Sequence, residues 1–482
     1  MHPTPSDFPV EVPESSVQGF VPAYFRDIDL GHKSRNRCFE RVAQQISRHP
    51  GGTLPQKLSD PADYHSMDRL MNRPETTHAR AIAAHRERTL EKMQDCPGVV
   101  LIVHDTTVLD YSGKESLGLA AVGNGHGTGY LCHNSLALDP QKREVFGLVA
   151  QKLHQRQPAP KKEGVKAKRE RASRESRLWS QTVIDLPPTP AGKRWVDVAD
   201  RGADLFEFLA TEQTLGRLCL VRSSHNRSIR IGHDGQGQKA LLHDHLRTLP
   251  AKGEVQRRKI FDREQEKERE AKLRVSYAAV EIQPPHVKKG IYEDKPIEAW
   301  AVRVWEESPP EKGTKLEWFL VCLDPVMSPL DAWEKCAWYI CRWIVEEYHK
   351  AQKSGCLIEE LQFRTEAALQ PMIALLSVVA VMLLNLREAA RRPDAKERPA
   401  IQVIEPIYEE VLREWRYKSK RVEELTVYEF TMTLARLGGH MNRKRDGFPG
   451  WLTLWRGWQK LQSMVVGVEN ERRRQTKNRV ER

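Results

Sequence analysis

The alternation of apolar and polar positions divides the chain into segments of different character. From Asp27 onward the period is helical. Cys38, Val42 and Ile46 recur four residues apart, with Lys33, Arg35, Arg37 and Arg41 among them. Pro50-Gly51-Gly52 ends that helix. A second stretch runs through Tyr64, Met67, Leu70 and Met71 and stops at Arg73-Pro74, and a third spans 78–93. The period then changes. Residues 99–103 form a continuous β-branched run, the mark of a strand covered on both faces, and lead straight into His104-Asp105-Thr106-Thr107. Residues 131–138, 145–150, 195–199 and 218–221 read as further strands. Strands interleaved with helical stretches predict an α/β core.

Residues 225–335 interrupt that core. They hold a charge run over 257–274, followed by strand-like pieces at 275–282, 300–305 and 318–323, and predict a mostly β insertion. From Asp331 the pattern is helical almost to the basic C-terminal tail. Trp451, Trp455 and Trp458 form one aromatic stripe, the mark of a core or partner-helix face. The predicted organisation is a Pro-rich, disordered segment at 1–24 and a basic helical domain at 25–95. An α/β catalytic domain at 96–390 and a helical domain with a basic tail at 391–482 follow.

Charge narrows the class. The 482 residues hold 77 Lys and Arg against 65 Asp and Glu, a formal charge of +12, which favours a polyanionic partner, nucleic acid first. The eight cysteines form no C-x-x-C pair and fit a reducing compartment. The most apolar run, 372–384, is 13 residues long, whereas a membrane span needs about 20. A cytoplasmic protein without a membrane segment is expected.

Candidate chemistry lies at strand ends and on one helix. Asp105 and Asp200 each follow a buried strand, where open α/β sheets place their ligands. Taken singly, an aspartate there more often caps a turn. Over 339–353, steps of about 100° per residue put Tyr339, Arg342, Glu346, Lys350 and Lys353 within a sector of roughly 80°. A charged, solvated face with Glu346–Lys350 pairing is the plain reading of that stripe. It also suits a DNA backbone, with cations and a phenol on phosphates and the single acid facing a metal.

The spacing Tyr-x2-Arg-x3-Glu-x6-Lys at 339–353, together with the string W-I-V-E-E-Y-H-K-A-Q-K-S-G at 343–355, resembles the signature of the bacterial cut-and-paste DDE transposases with the Tyr-Arg-Glu-Lys motif. His104-Asp105-Thr106-Thr107 resembles the family's first-acid segment, and Val198-Ala199-Asp200-Arg201-Gly202-Ala203-Asp204 its second-acid box, with Gly202 where the family usually has Glu. Val221-Arg222-Ser223-Ser224 is similar to the strand that follows. Leu434-Ala435-Arg436-Leu437-Gly438-Gly439 and residues 451–458 resemble its C-terminal domain.

The resemblance implies a ribonuclease-H-like core interrupted by the β insertion, with Asp105, Asp200 and Glu346 as a catalytic, metal-binding triad. Two Mg²⁺ ions per site, or Mn²⁺ in their place, are implied. Tyr339, Arg342, Lys350, Lys353 and Arg222 would contact DNA, and Trp318 would stack on a flipped base. The implied partners are double-stranded DNA, as transposon ends and target, and a second copy of the chain in a homodimer. The alternatives are a catalytically silent DNA-end-binding repressor and a ribonuclease-H-like nuclease that cuts without joining.

Overall fold

The computed structural model describes residues 17–480, except 59, 124–125, 158–161, 165–166, 168–170, 172, 263, 265–266, 286–294, 312, 314, 419–422 and 444–445. Five helices come first: α1 (Val17–Phe25), α2 (Lys33–Arg48), α3 (Leu54–Lys57), α4 (Pro61–Met71) and α5 (His78–Asp95). The α2, α4 and α5 periods match the sequence pattern. Each start carries a cap: the side chains of His32, Asp60 and Thr77 accept backbone N–H groups of the first turn.

Helix α1 corrects the expectation of disorder to residue 24, of which 1–16 lie outside the described residues. Val21, Tyr24 and Phe25 are buried, and the Tyr24 hydroxyl donates to the Phe146 carbonyl at 3.1 Å. That burial outweighs Pro22, which removes a single intrahelical hydrogen bond.

The chain then builds β1 (Val99–Asp110), β2 (Ala121–Val122), β3 (Gly127–Asp139), β4 (Glu144–His154), α6 (Leu178–Ile184), β5 (Arg194–Ala199), α7 (Phe206–Thr214) and β6 (Leu218–Arg222). Strands β5 and β6 run parallel to β1 on one side; on the other, β3 pairs antiparallel with β1, and β4 pairs antiparallel with β3. The region expected to be an insertion follows: β7 (Ser228–Ile231), β8 (Lys239–Leu241), α8 (Leu242–Thr248), β9 (Lys252–Asp262), β10 (Lys267–Ile282), β11 (Ile297–Glu306) and β12 (Glu317–Cys322). It is mostly β, and it does not stand apart. Strand β12 pairs antiparallel with β6, so both regions share one mixed sheet of 12 strands.

The charge run is itself part of this sheet, as the β9–β10 hairpin. Its opposite charges face one another across the strands, with Arg257–Glu270 at 3.0 Å and Arg269–Asp262 at 3.0 Å.

The last third is helical: α9 (Pro329–Cys341), α10 (Trp343–Lys350), a π-helical turn (Ala351–Gly355), α11 (Glu366–Ala389), α12 (Pro406–Tyr417), α13 (Val427–Leu437) and α14 (Trp451–Val480). Helix α11 is long and apolar enough to cross a membrane, but 89% of its apolar window is buried inside the fold. It packs on α5 and β4. The tryptophan stripe is core: Trp455 and Trp458 are buried, and Trp458 stacks on Tyr408 with ring centroids 5.1 Å apart. Any side chain at Gly51 would collide with Trp455, so the turn ending α2 lies flush on α14.

Candidate active site

Strand alternation decides which residues face the helical layer. On β1, Leu101 and Val103 enter the large core shared with α9, α10 and α11, while Val100 and Ile102 enter a separate core on the opposite face. Continuing the period of two puts Asp105 on the helical side. On β5, Val196 and Val198 share that side, and Asp200 follows them in extended conformation. On β6, Leu220 shares it, and Arg222 follows.

Register then lines these residues up. The last parallel pair of β1 and β5 is His104↔Ala199, and the last of β5 and β6 is Ala199↔Val221. One step further along each strand lie Asp105, Asp200 and Arg222, in a row across three neighbouring strands. Asp105 is therefore not at the end of its own strand, as the sequence suggests. β1 continues to Asp110 along β3, and only its pairing with β5 stops at His104.

Glu346 comes from the facing helix. Ser328 and Asp331 form a capping box at the start of α9, with Pro329 at its first position. The helix breaks at Arg342 and resumes as α10. The guanidinium of Arg342 donates to Glu346 Oε1 at 2.6 Å and stands 3.6 Å from Asp105 Oδ2, so both acids address one cation. Tyr339 and Trp318 meet edge to face at 5.6 Å. The Arg222 guanidinium lies 5.8 Å from the Trp318 ring centroid. Asp105, Asp200, Glu346, Arg222, Trp318, Tyr339 and Arg342 thus form one cluster.

Lys350 and Lys353 do not join it. Lys350 pairs with Glu347 at 3.1 Å. The π turn rotates Lys353 out of the expected stripe, and it pairs with Glu359 at 3.1 Å. Trp343, which the helical period puts off the stripe among residues that can pack, is instead 43% exposed beside the cluster, with the Arg342 guanidinium 5.0 Å from its ring centroid. An exposed indole next to the Arg-x3-Glu step is the signal that marks it.

The electrostatics are those of crowded acids. Burial pushes the Asp105 carboxyl up to about 6. Asp200 and Glu346 push the same way, against the Thr106 N–H and Arg342. Asp105 Oδ1 accepts the Thr106 N–H at 2.8 Å, and Asp200 Oδ1 accepts the Gly202 N–H at 2.7 Å, as turn caps do. Each cap uses one oxygen and leaves the second with spare lone pairs. Trp179 packs over Gly202, whose absent side chain leaves room for it: a Cβ there would lie 3.0 Å from Asp200 Oδ1 and 3.1 Å from Trp179 Cζ2.

Among the described residues, no three His, Cys, Asp or Glu side chains are drawn close enough to chelate an ion as they stand. The three acids nonetheless fit a hard divalent cation. Their free donors are carboxylate oxygens, and Arg342 supplies a positive charge where two of them meet. No family model matches the chain.

Proposed function

We propose that the chain is a DNA transposase of the DDE type, which cuts transposon ends and joins their 3′-hydroxyls to target DNA. The observation that carries this reading is the register match of Asp105 with Asp200, together with Glu346 reaching the same guanidinium as Asp105. The three acids lie 95 and 146 residues apart in sequence, and a solvated surface would give them no reason to meet. The sheet supports the fold half of the reading. A mixed sheet, antiparallel on one side of β1 and parallel on the other, is what a ribonuclease-H-like core needs.

Asp105, Asp200 and Glu346 would hold Mg²⁺ or Mn²⁺, which when bound activates the attacking oxygen and stabilises the departing one. Arg222, Tyr339 and Arg342 flank the acids and grip backbone phosphates on either side of the scissile bond. Arg342 exchanges its carboxylate partners for phosphate as DNA enters. Hydrolysis frees a 3′-hydroxyl, which attacks the opposite strand to close a hairpin. A second hydrolysis reopens it, and the 3′-hydroxyl then attacks target DNA. A closed hairpin unstacks a base, and the half-buried Trp318 ring, set between Arg222 and Tyr339, receives it.

The test is cleavage of a DNA fragment carrying the element's own ends, with Mg²⁺. Asp105→Asn, Asp200→Asn and Glu346→Gln are each expected to reduce cleavage by about 1,000-fold or more while end binding in a gel shift persists. Retained cutting by any of them removes that residue from the triad.

A further inference from the structure

Glu346 sits on a short segment. Helix α10 is eight residues long, bounded by the break at Arg342 and by the π turn at Ala351–Gly355. Neither end continues as a regular α-helix, so the roll of α10 is set by what its own side chains hold. Ile344, Val345 and Tyr348 are buried, and the Tyr348 hydroxyl donates to the Ser377 carbonyl of α11 at 3.0 Å. Glu347, the neighbour of Glu346, is held from α11 as well and from α14. Its Oε2 accepts the indole N–H of Trp451, the first residue of α14, at 2.6 Å. The same oxygen lies 2.7 Å from Nη1 of Arg387 on α11, and Lys350 donates to Oε1 at 3.1 Å. The Arg387 guanidinium is itself buried and lies 5.1 Å from the Trp451 ring centroid.

A plain structural ion pair would need none of this convergence. Two cations and an indole donor meet on one half-buried carboxylate, on the residue adjoining the only acid of the cluster that a helix supplies.

We infer that Glu347 is a positioning residue for Glu346: clamped by Arg387 and Trp451, it fixes the roll of α10, and the C-terminal helix α14 thereby becomes part of the metal site's support. The inference rests on the reading of Asp105, Asp200 and Glu346 as metal ligands. Consecutive helix residues point about 100° apart, so a rotation of α10 that frees Glu347 swings Glu346 away from Asp105 and Asp200. Groups that hold a metal ligand in place typically change metal affinity by about 10–100-fold when removed.

The test is Mn²⁺ binding to the full-length protein without DNA, followed by electron paramagnetic resonance, beside end cleavage titrated with Mn²⁺. Trp451→Phe keeps an aromatic ring but deletes the N–H donor and shortens the side chain. Glu347→Gln keeps the shape and deletes the charge. Both are expected to weaken Mn²⁺ binding, by about 3–10-fold and about 10-fold or more. The Mn²⁺ concentration for half-maximal cleavage should rise in parallel, with near-normal cleavage at saturating metal and unchanged end binding. The double variant should be no worse than Glu347→Gln alone, because both changes act on one contact. Wild-type Mn²⁺ affinity in both variants, whatever their stability, overturns the inference. Asp105→Asn separates the two claims. If it binds Mn²⁺ and cuts like the wild type, the metal-site reading itself fails. If it does neither while Trp451→Phe and Glu347→Gln behave as wild type, only the positioning role fails.

Discussion

This molecule holds two groups of acids, and they are treated in opposite ways. Asp197, Asp204 and Glu347 are saturated. Asp197 accepts His104 Nε2 at 2.7 Å and Arg217 Nε at 2.8 Å. Asp204 takes the backbone N–H groups of Ser224 at 2.6 Å and His225 at 2.9 Å, together with the Arg227 guanidinium. Burial acts to raise the carboxyls of all three, yet their cationic partners win and hold them below the ordinary range. Asp105, Asp200 and Glu346 have only a cap bond each or a shared arginine, and Asp105 is pushed up. Folding uses the oxygens of the first group to hold the chain. It leaves those of the second with unspent acceptor capacity and mutual repulsion, a state that a cation relieves.

Asp197 and Asp105 make the contrast sharpest, because they lie on opposite faces of the same pair of strands. The largest expected difference is between their asparagine variants. Asp105→Asn should abolish cleavage and leave the fold intact. Asp197→Asn leaves Arg217 buried without its counter-charge, and should lower unfolding free energy by about 3–5 kcal/mol in urea titration. Similar destabilisation by both would erase the distinction.

The next effect concerns the sign of a stability change. The folded Asp105 carboxyl titrates near 6, above its ordinary value of about 3.9 in an unfolded chain. Folding therefore disfavours the ionised form. The penalty is absent below pH 4, grows as pH rises toward 6 and is constant above that. Asp105→Asn removes it and should stabilise the metal-free protein by about 2 kcal/mol at pH 7, with no gain at pH 4. Mg²⁺ should narrow the gap at pH 7 by stabilising only the wild type. An equal gain at both pH values would assign it to packing.

Much of this contrast could be read in the sequence, and the unread part has one cause. Local patterns were legible: the helical periods of α2, α4 and α5, the β-branched start of β1, and the Tyr339–Glu346 stretch of α9 and α10. Non-local pairing was not. The polar His104-Asp105 step looks like a strand terminus because the stretch that continues it, Thr106 to Asp110, is supported by β3, 19 to 27 residues away. The charge run at 257–274 carries no apolar alternation that marks its two strands, which appear only when β9 and β10 lie side by side and their charges pair. Lys353 leaves the stripe because a helix is continued at 100° per residue on paper, whereas this one widens at Ala351; Lys350, one regular turn after Glu346, pairs with Glu347 instead. The partners of Glu347 lie 40 and 104 residues downstream, and nothing in the local pattern separates it from Glu346.

The smallest effect asks to which group Asp200 belongs, because its cap bond to Gly202 gives it a share in both. A Cβ at 202 would sit 3.0 Å from Asp200 Oδ1, tighter than ordinary contact, with Trp179 at 3.1 Å closing the other side. Gly202→Ala therefore shifts the carboxylate by a few tenths of an ångström and leaves the backbone N–H that caps the turn in place. If Asp200 is a poised ligand, that shift should lower end cleavage about 2–5-fold, since misplacement by about 1 Å can cost roughly 100-fold. Unfolding free energy should change by less than about 1 kcal/mol, because the turn keeps its hydrogen bond. Unchanged cleavage with a clear loss of stability would return Asp200 to the anchoring acids, as a turn cap whose place beside Asp105 follows from strand register alone.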